Sequence, residues 1–149
     1  MEKVMPSILE SYKEDFYLLL EAGFIAINMQ DEDSANKLFQ ACQILNPKNT
    51  FPLVGLGYKH LCKLELAKAQ SCFKEVLKLE PENQLAKSLL AVCMTMNPKE
   101  HIEGEKKLEE LSKSQDADIK KLADIAMDFS HKISPKNKSP AHPKQAKHK

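Results

Sequence analysis

Apolar residues recur three or four positions apart along most of the chain, the spacing that places them on one side of an α-helix. Three sets stand out: Tyr17, Leu20, Phe24 and Ile27; Phe51, Val54, Tyr58 and Leu61; Leu85, Ser88, Val92 and Met96. Each steps by 3, 4 and 3, and eleven of the twelve are apolar or aromatic. Beside each set runs a second stripe of small and apolar residues, so each of these helices is apolar on two sides. Both sides must be covered. One is covered by the neighbouring helix, and the other needs a ligand, a second copy or another part of the chain.

The pattern repeats. Gly23, Ala35, Phe39 and Pro47 map onto Gly57, Ala69, Phe73 and Pro81, each 34 residues on and without a gap. The small residues Gly23, Gly57 and Ala91 allow two helices of a unit to approach closely, with Ala35 and Ala69 receiving the contact. Phe39 and Phe73 fill the space toward the next unit, and Pro47 and Pro81 end the second helices. A third, weaker copy reads Lys87-x2-Leu90-Ala91-x2-Met94, then Gly104-x3-Leu108 after one inserted residue. Ser7-x-x-Glu10 is a capping box, which predicts a first helix running to about Met29. Near the end, Asp116 or Asp118 can cap a last helix with Ile119, Leu122, Ala126, Phe129 and Ile133 facing the stack and charges facing out. The chain thus divides into a segment 1–15, a helical domain 16–133 and a Lys- and Pro-rich tail 134–149, expected to be disordered.

Charge separates the tail from the body. Residues 1–131 carry 16 lysines against 21 acids, or −5, and residues 132–149 carry six lysines and no acid. All 22 basic residues are lysine, so no guanidinium fork is present. No aromatic interleaves the tail lysines, which argues against nucleic-acid stacking. The densest apolar run, residues 16–29, is too short for a membrane span, which needs roughly 20 residues, and the first residues lack a signal-peptide layout. Cys42, Cys62, Cys72 and Cys93 lie in apolar helical patterns without a C-x-x-C pair, which reads as buried thiols in a reducing cytosol rather than a metal site. No catalytic motif is present, His60 sits on the helix-packing side, and no cofactor or small-molecule substrate is implied.

The period and its residues resemble the tetratricopeptide repeat, with its W-x2-L-G-x2-Y, A-x3-F and P pattern. The second unit reads Leu53-x2-Leu56-Gly57-x2-His60, Ala69-x3-Phe73, Pro81, and the first reads Leu19-x2-Ala22-Gly23-x2-Ala26, Ala35-x3-Phe39, Pro47. The resemblance covers residues 16–111 and implies an all-α solenoid of about three helix-turn-helix units with a C-terminal capping helix. Its first helices would line a concave groove, built from Tyr17, Leu20, Phe24, Ile27, Phe51, Val54, Tyr58, Leu61, Leu85, Val92 and Met96. Leu20, Phe24, Leu85 and Leu89 stand where repeats that hold chaperone C-termini carry a polar carboxylate clamp, so that function is excluded. A short three-repeat chain with an apolar groove is similar to bacterial type III secretion chaperones, most of all those of the needle subunit, because the repeats begin near residue 16. Translocator chaperones usually carry a longer N-terminal extension. The resemblance implies a cytoplasmic protein holding the amphipathic C-terminal helix of a needle subunit, with a small helical co-chaperone against Ile8, Tyr12 and Phe16. The alternatives are a translocator-class chaperone, or a homodimeric scaffold whose basic tail is a tether.

Overall fold

The structure, a computed structural model, describes residues 10–133. These residues form seven α-helices and no strand: α1 (Phe16–Asn28), α2 (Glu32–Leu45), α3 (Phe51–Cys62), α4 (Leu66–Leu79), α5 (Gln84–Thr95), α6 (His101–Leu111) and α7 (Ala117–Ile133). The helices pack in chain order as antiparallel pairs, α1 with α2, α3 with α4 and α5 with α6, consistent with a helix-turn-helix repeat arrangement. The last helix, α7, lies on α6 and α5.

Local chemistry sets the helix ends. Pro47 and Pro81 fall just beyond α2 and α4, where a proline cannot continue the hydrogen-bond ladder. Asp31 caps α2 by accepting from the Ser34 N–H at 3.0 Å and its hydroxyl at 2.7 Å. Asn83 accepts from the Ala86 N–H at 2.9 Å, and Asp116 accepts from the N–H groups of Asp118 and Ile119. The helix expected to run to about Met29 is interrupted: Glu10 and Ser11 are helical, a turn at Tyr12 and the segment Lys13–Asp15 follow, and α1 begins at Phe16. Ser7 lies outside the described residues, and Glu10 pairs with Lys13 at 2.6 Å. The Asp15 N–H donates to the Tyr12 carbonyl, tightening Lys13–Asp15 into a 3-10 turn directly before α1.

Phenylalanine rings fill the space that the glycines leave. A Cβ at Gly23 or Gly55 would come within 2.7 and 2.5 Å of the buried Phe39 ring, and one at Gly57 within 2.6 Å of Phe73. The ring, rather than Ala35 or Ala69, therefore takes the closest approach, and Phe39 is clamped between α1 and α3. The third unit exchanges these roles, because its glycine is on the second helix. A Cβ at Gly104 would meet the backbone of α5 at Thr95 N, 2.7 Å, and Ala91 O, 3.0 Å.

The turns explain the inserted residue. Gln30 (φ 61°) and Leu64 (φ 58°), 34 residues apart, both take the left-handed conformation inside three-residue turns. The equivalent position in the third unit is Pro98, whose ring holds φ negative. That turn spans five residues, 96–100, and the second helix starts one residue late.

Two expectations need correction. The α7 packing face is Ile119, Ala123, Ala126, Met127 and Ser130, set against Leu108, Leu111 and Ala91. Phe129 and Ile133, expected there, are exposed, because small Ala123 and Ser130, seven residues apart, let α7 close on α6 where a ring would hold it off. Of the cysteines, Cys42 and Cys93 are buried and Cys72 is half-buried, but Cys62 is exposed. It is the last residue of α3, beyond the reach of the core. Burial pushes the Cys42 thiol up and the Cys93 thiol up to about 11.

Candidate functional site

The first helices of successive units touch one another, α1 with α3 and α3 with α5, while the second helices of successive units do not meet to the same extent. The stack therefore curves with its first helices on the inside. On this face Tyr17 and Phe51 are 68% and 40% exposed. Phe24, Tyr58, Leu61, Leu85, Val92 and Met96 are half-buried. Leu20, Ile27 and Val54 are buried within the core clusters and present no free surface, as does Ser88. They point between neighbouring helices, where the curve brings the first helices closest.

Aromatic rings gather at the junction of the first two units. Phe24 stands edge-on to Phe39, with centroids 5.3 Å apart, and lies 6.0 Å from both Phe51 and Tyr58. A hydrogen bond with the Cys62 thiol, then burial, raises the Tyr58 phenol above its ordinary value. The face therefore offers apolar and aromatic contact area at the rims, on a floor that is already core. Phe24 belongs to both.

A second apolar face lies on the outside of α1. Leu18, Ile25 and Met29 are exposed there. Thirty-four residues on, Pro52 and Lys59 of α3 are buried, as are Ala86 and Cys93 of α5 a period later. Those inner residues are covered by the second helix of the preceding unit, and α1 has no such neighbour among the described residues. Of the residues expected to meet a co-chaperone, Tyr12 is exposed and Ile8 lies outside the described residues. Phe16 is buried: its backbone carbonyl accepts from the Cys42 thiol at 3.6 Å, and its ring is core.

Sequence reasoning missed three further features. Lys59 is buried although charged, its Nζ donating to Asn36 Oδ1 at 2.7 Å and lying 3.4 Å from Glu32. Beside it Lys63 meets Glu32 at 2.8 Å, and His60 Nδ1 lies 2.6 Å from Glu65 Oε2, which ties the second turn to α2. An open cleft of about 490 Å³ between α4, α5 and α6 has Leu77, Leu90 and Leu111 on its floor and Lys87, Lys107 and Lys113 on its rim. Apart from the local His60–Glu65 pair, these features join residues far apart in sequence, which no single stretch displays. Among the described residues no group of three His, Cys, Asp or Glu side chains could hold a metal ion, and no helix is long and apolar enough to cross a membrane.

No family model, no curated protein and no solved structure matches this chain.

Proposed function

We propose that the chain is a tetratricopeptide-repeat chaperone of type III secretion, of the needle-subunit class, working in the bacterial cytoplasm. It holds the amphipathic C-terminal helix of a needle subunit against the inner face of its first helices and keeps that subunit monomeric before export. The observation that carries this reading is the aromatic junction of Phe24, Phe51 and Tyr58 with Tyr17 exposed on the same face. An amphipathic helix laid there covers apolar area on both molecules, at about 1.5–3 kcal/mol for each large side chain fully buried, before ordering costs. The uncovered face of α1, with Leu18, Ile25 and Met29, supports a contact there for the small helical co-chaperone.

The test is co-expression with the small needle-like protein of the same genome. Phe24→Asp is a poor probe, because Phe24 packs on the core ring Phe39. Tyr17→Asp and Phe51→Asp place the charge in water in the free protein, so helix content is retained while the co-purified subunit falls at least about tenfold. Ile25→Asp instead releases the co-chaperone and leaves the needle subunit bound. Full retention of the subunit by both folded groove variants removes the reading.

A further inference from the structure

The cleft between α4, α5 and α6 lies on the other side of α5 from the groove, because Lys87 and Leu90 share no helical face with Leu85, Val92 and Met96. Its volume of about 490 Å³ falls within the roughly 300–1,000 Å³ of ligand pockets. Leu90 is buried and Leu77 and Leu111 are half-buried, so the floor is aliphatic.

Three ammonium groups stand round this floor, from α5 (Lys87), α6 (Lys107) and the turn after α6 (Lys113). The repeat does not call for two of them. Lys87 takes the position of Leu19 and Leu53, and Lys107, with the inserted residue counted, that of Cys72. Lys87 meets Glu82 at 3.1 Å and Lys107 meets Glu103 at 3.7 Å, but neither acid lines the cleft and their side chains are 93% and 67% exposed. Exposed pairs of this kind are weak and give way to a ligand carboxylate. Glu110 is the one acid among the lining residues, and the Ser114 hydroxyl donates to the Gln84 side-chain oxygen. The cleft is therefore a cationic site on an acidic body, −5 over residues 1–131.

We propose that this cleft binds an acidic segment of a partner protein, with one large apolar side chain on the leucine floor and carboxylates on both sides of it. Lysines on three elements match several anionic groups, which such a segment supplies and a single-headed lipid does not. Their stems widen the apolar floor while their charged heads reach the rim. Elsewhere the acidic body repels the segment, and the local positive charge steers it to the cleft. The tail lysines attract acids as well, but residues 134–149 contain no Val, Leu, Ile, Met, Phe or Tyr to hold an apolar anchor. The cleft is separate from the groove and does not depend on the function proposed above.

The chain has no tryptophan, so the emission of a capped peptide Glu-Asp-Trp-Leu-Glu-Asp reports its own surroundings when the intact protein is added. A saturable blue shift is expected, with affinity reduced about tenfold or more by Lys87→Glu and by Lys107→Glu combined with Lys113→Glu. Circular dichroism selects the variants with native helix content. The neutral peptide Gln-Asn-Trp-Leu-Gln-Asn should give no shift at the same concentrations. Absence of a saturable shift overturns the proposal, as does a shift that persists in the folded charge-reversed variants, which leaves the tail as the binding segment. An equal shift with the neutral peptide overturns it too, since the lysines then play no part. A shift lost in Tyr17→Asp places the peptide in the groove and also overturns it.

Discussion

Glu65 shows how much one side chain's surroundings decide. Its carboxyl is lowered from 4.5 to about 2, first by the hydrogen bond with His60, then by Lys63 and Lys68. A carboxylate depressed in the folded state stabilises the fold above its ordinary value, and that contribution is lost as pH falls from about 4.5 through about 2. Glu65→Gln should therefore melt lower than the parent at pH 6 and approach it at pH 2.5, measured by thermal unfolding. A gap that widens toward low pH would contradict this. The Lys59 ammonium makes the same point differently. It stands 34 residues after Ile25, and burial at that position is tolerable only because α2 brings Asn36 and Glu32 to it.

At the scale of elements, the turns hold a small reserve of strain. A left-handed conformation costs a residue with a Cβ about 1–2 kcal/mol. Leu64 meets that cost while exposed, so its side chain gains little from burial. Leu64→Gly should stabilise the protein by about 1 kcal/mol, reduced by the entropy of glycine in the unfolded chain. A urea midpoint that rises without a change of slope is the expected result, and a lower midpoint would show that the Leu64 side chain contributes more than its exposure implies. Asn97–Pro98 solved the same problem by lengthening the turn, which is why the third unit runs one residue long.

For the whole molecule, each helix pair rests chiefly on its neighbours, so stability should fall toward the ends. The largest core cluster joins α3, α4 and α5 through Val54, Phe73, Val76, Leu89 and Cys93. Amide exchange should be slowest in those helices, and faster in α1 and α7, each of which has one long face uncovered. Equal protection from α1 to α7 would mean that the stack unfolds only as one block.

The sequence alone establishes the helices, their pairing by a 34-residue period, the small residues at which paired helices meet and the proline stops, because these depend on residues one turn or one period apart. That the Phe39 and Phe73 rings, rather than Ala35 and Ala69, lie against the glycines is decided by the packing. It also shows that the first helices are apolar on two sides. It does not show which members of each stripe stay at the surface. Tyr17 and Phe51 do, whereas Leu20, Ile27 and Val54 are drawn between neighbouring helices by the curvature of the stack. On α7, spacings of 3 and 4 fit two overlapping stripes equally well. Contact with Ala91 and Leu108 selects the one with the smaller side chains, leaving Ile125 and Phe129 outside. Helical spacing fixes which residues share a face; what lies across from that face is decided only when the other helices are in place.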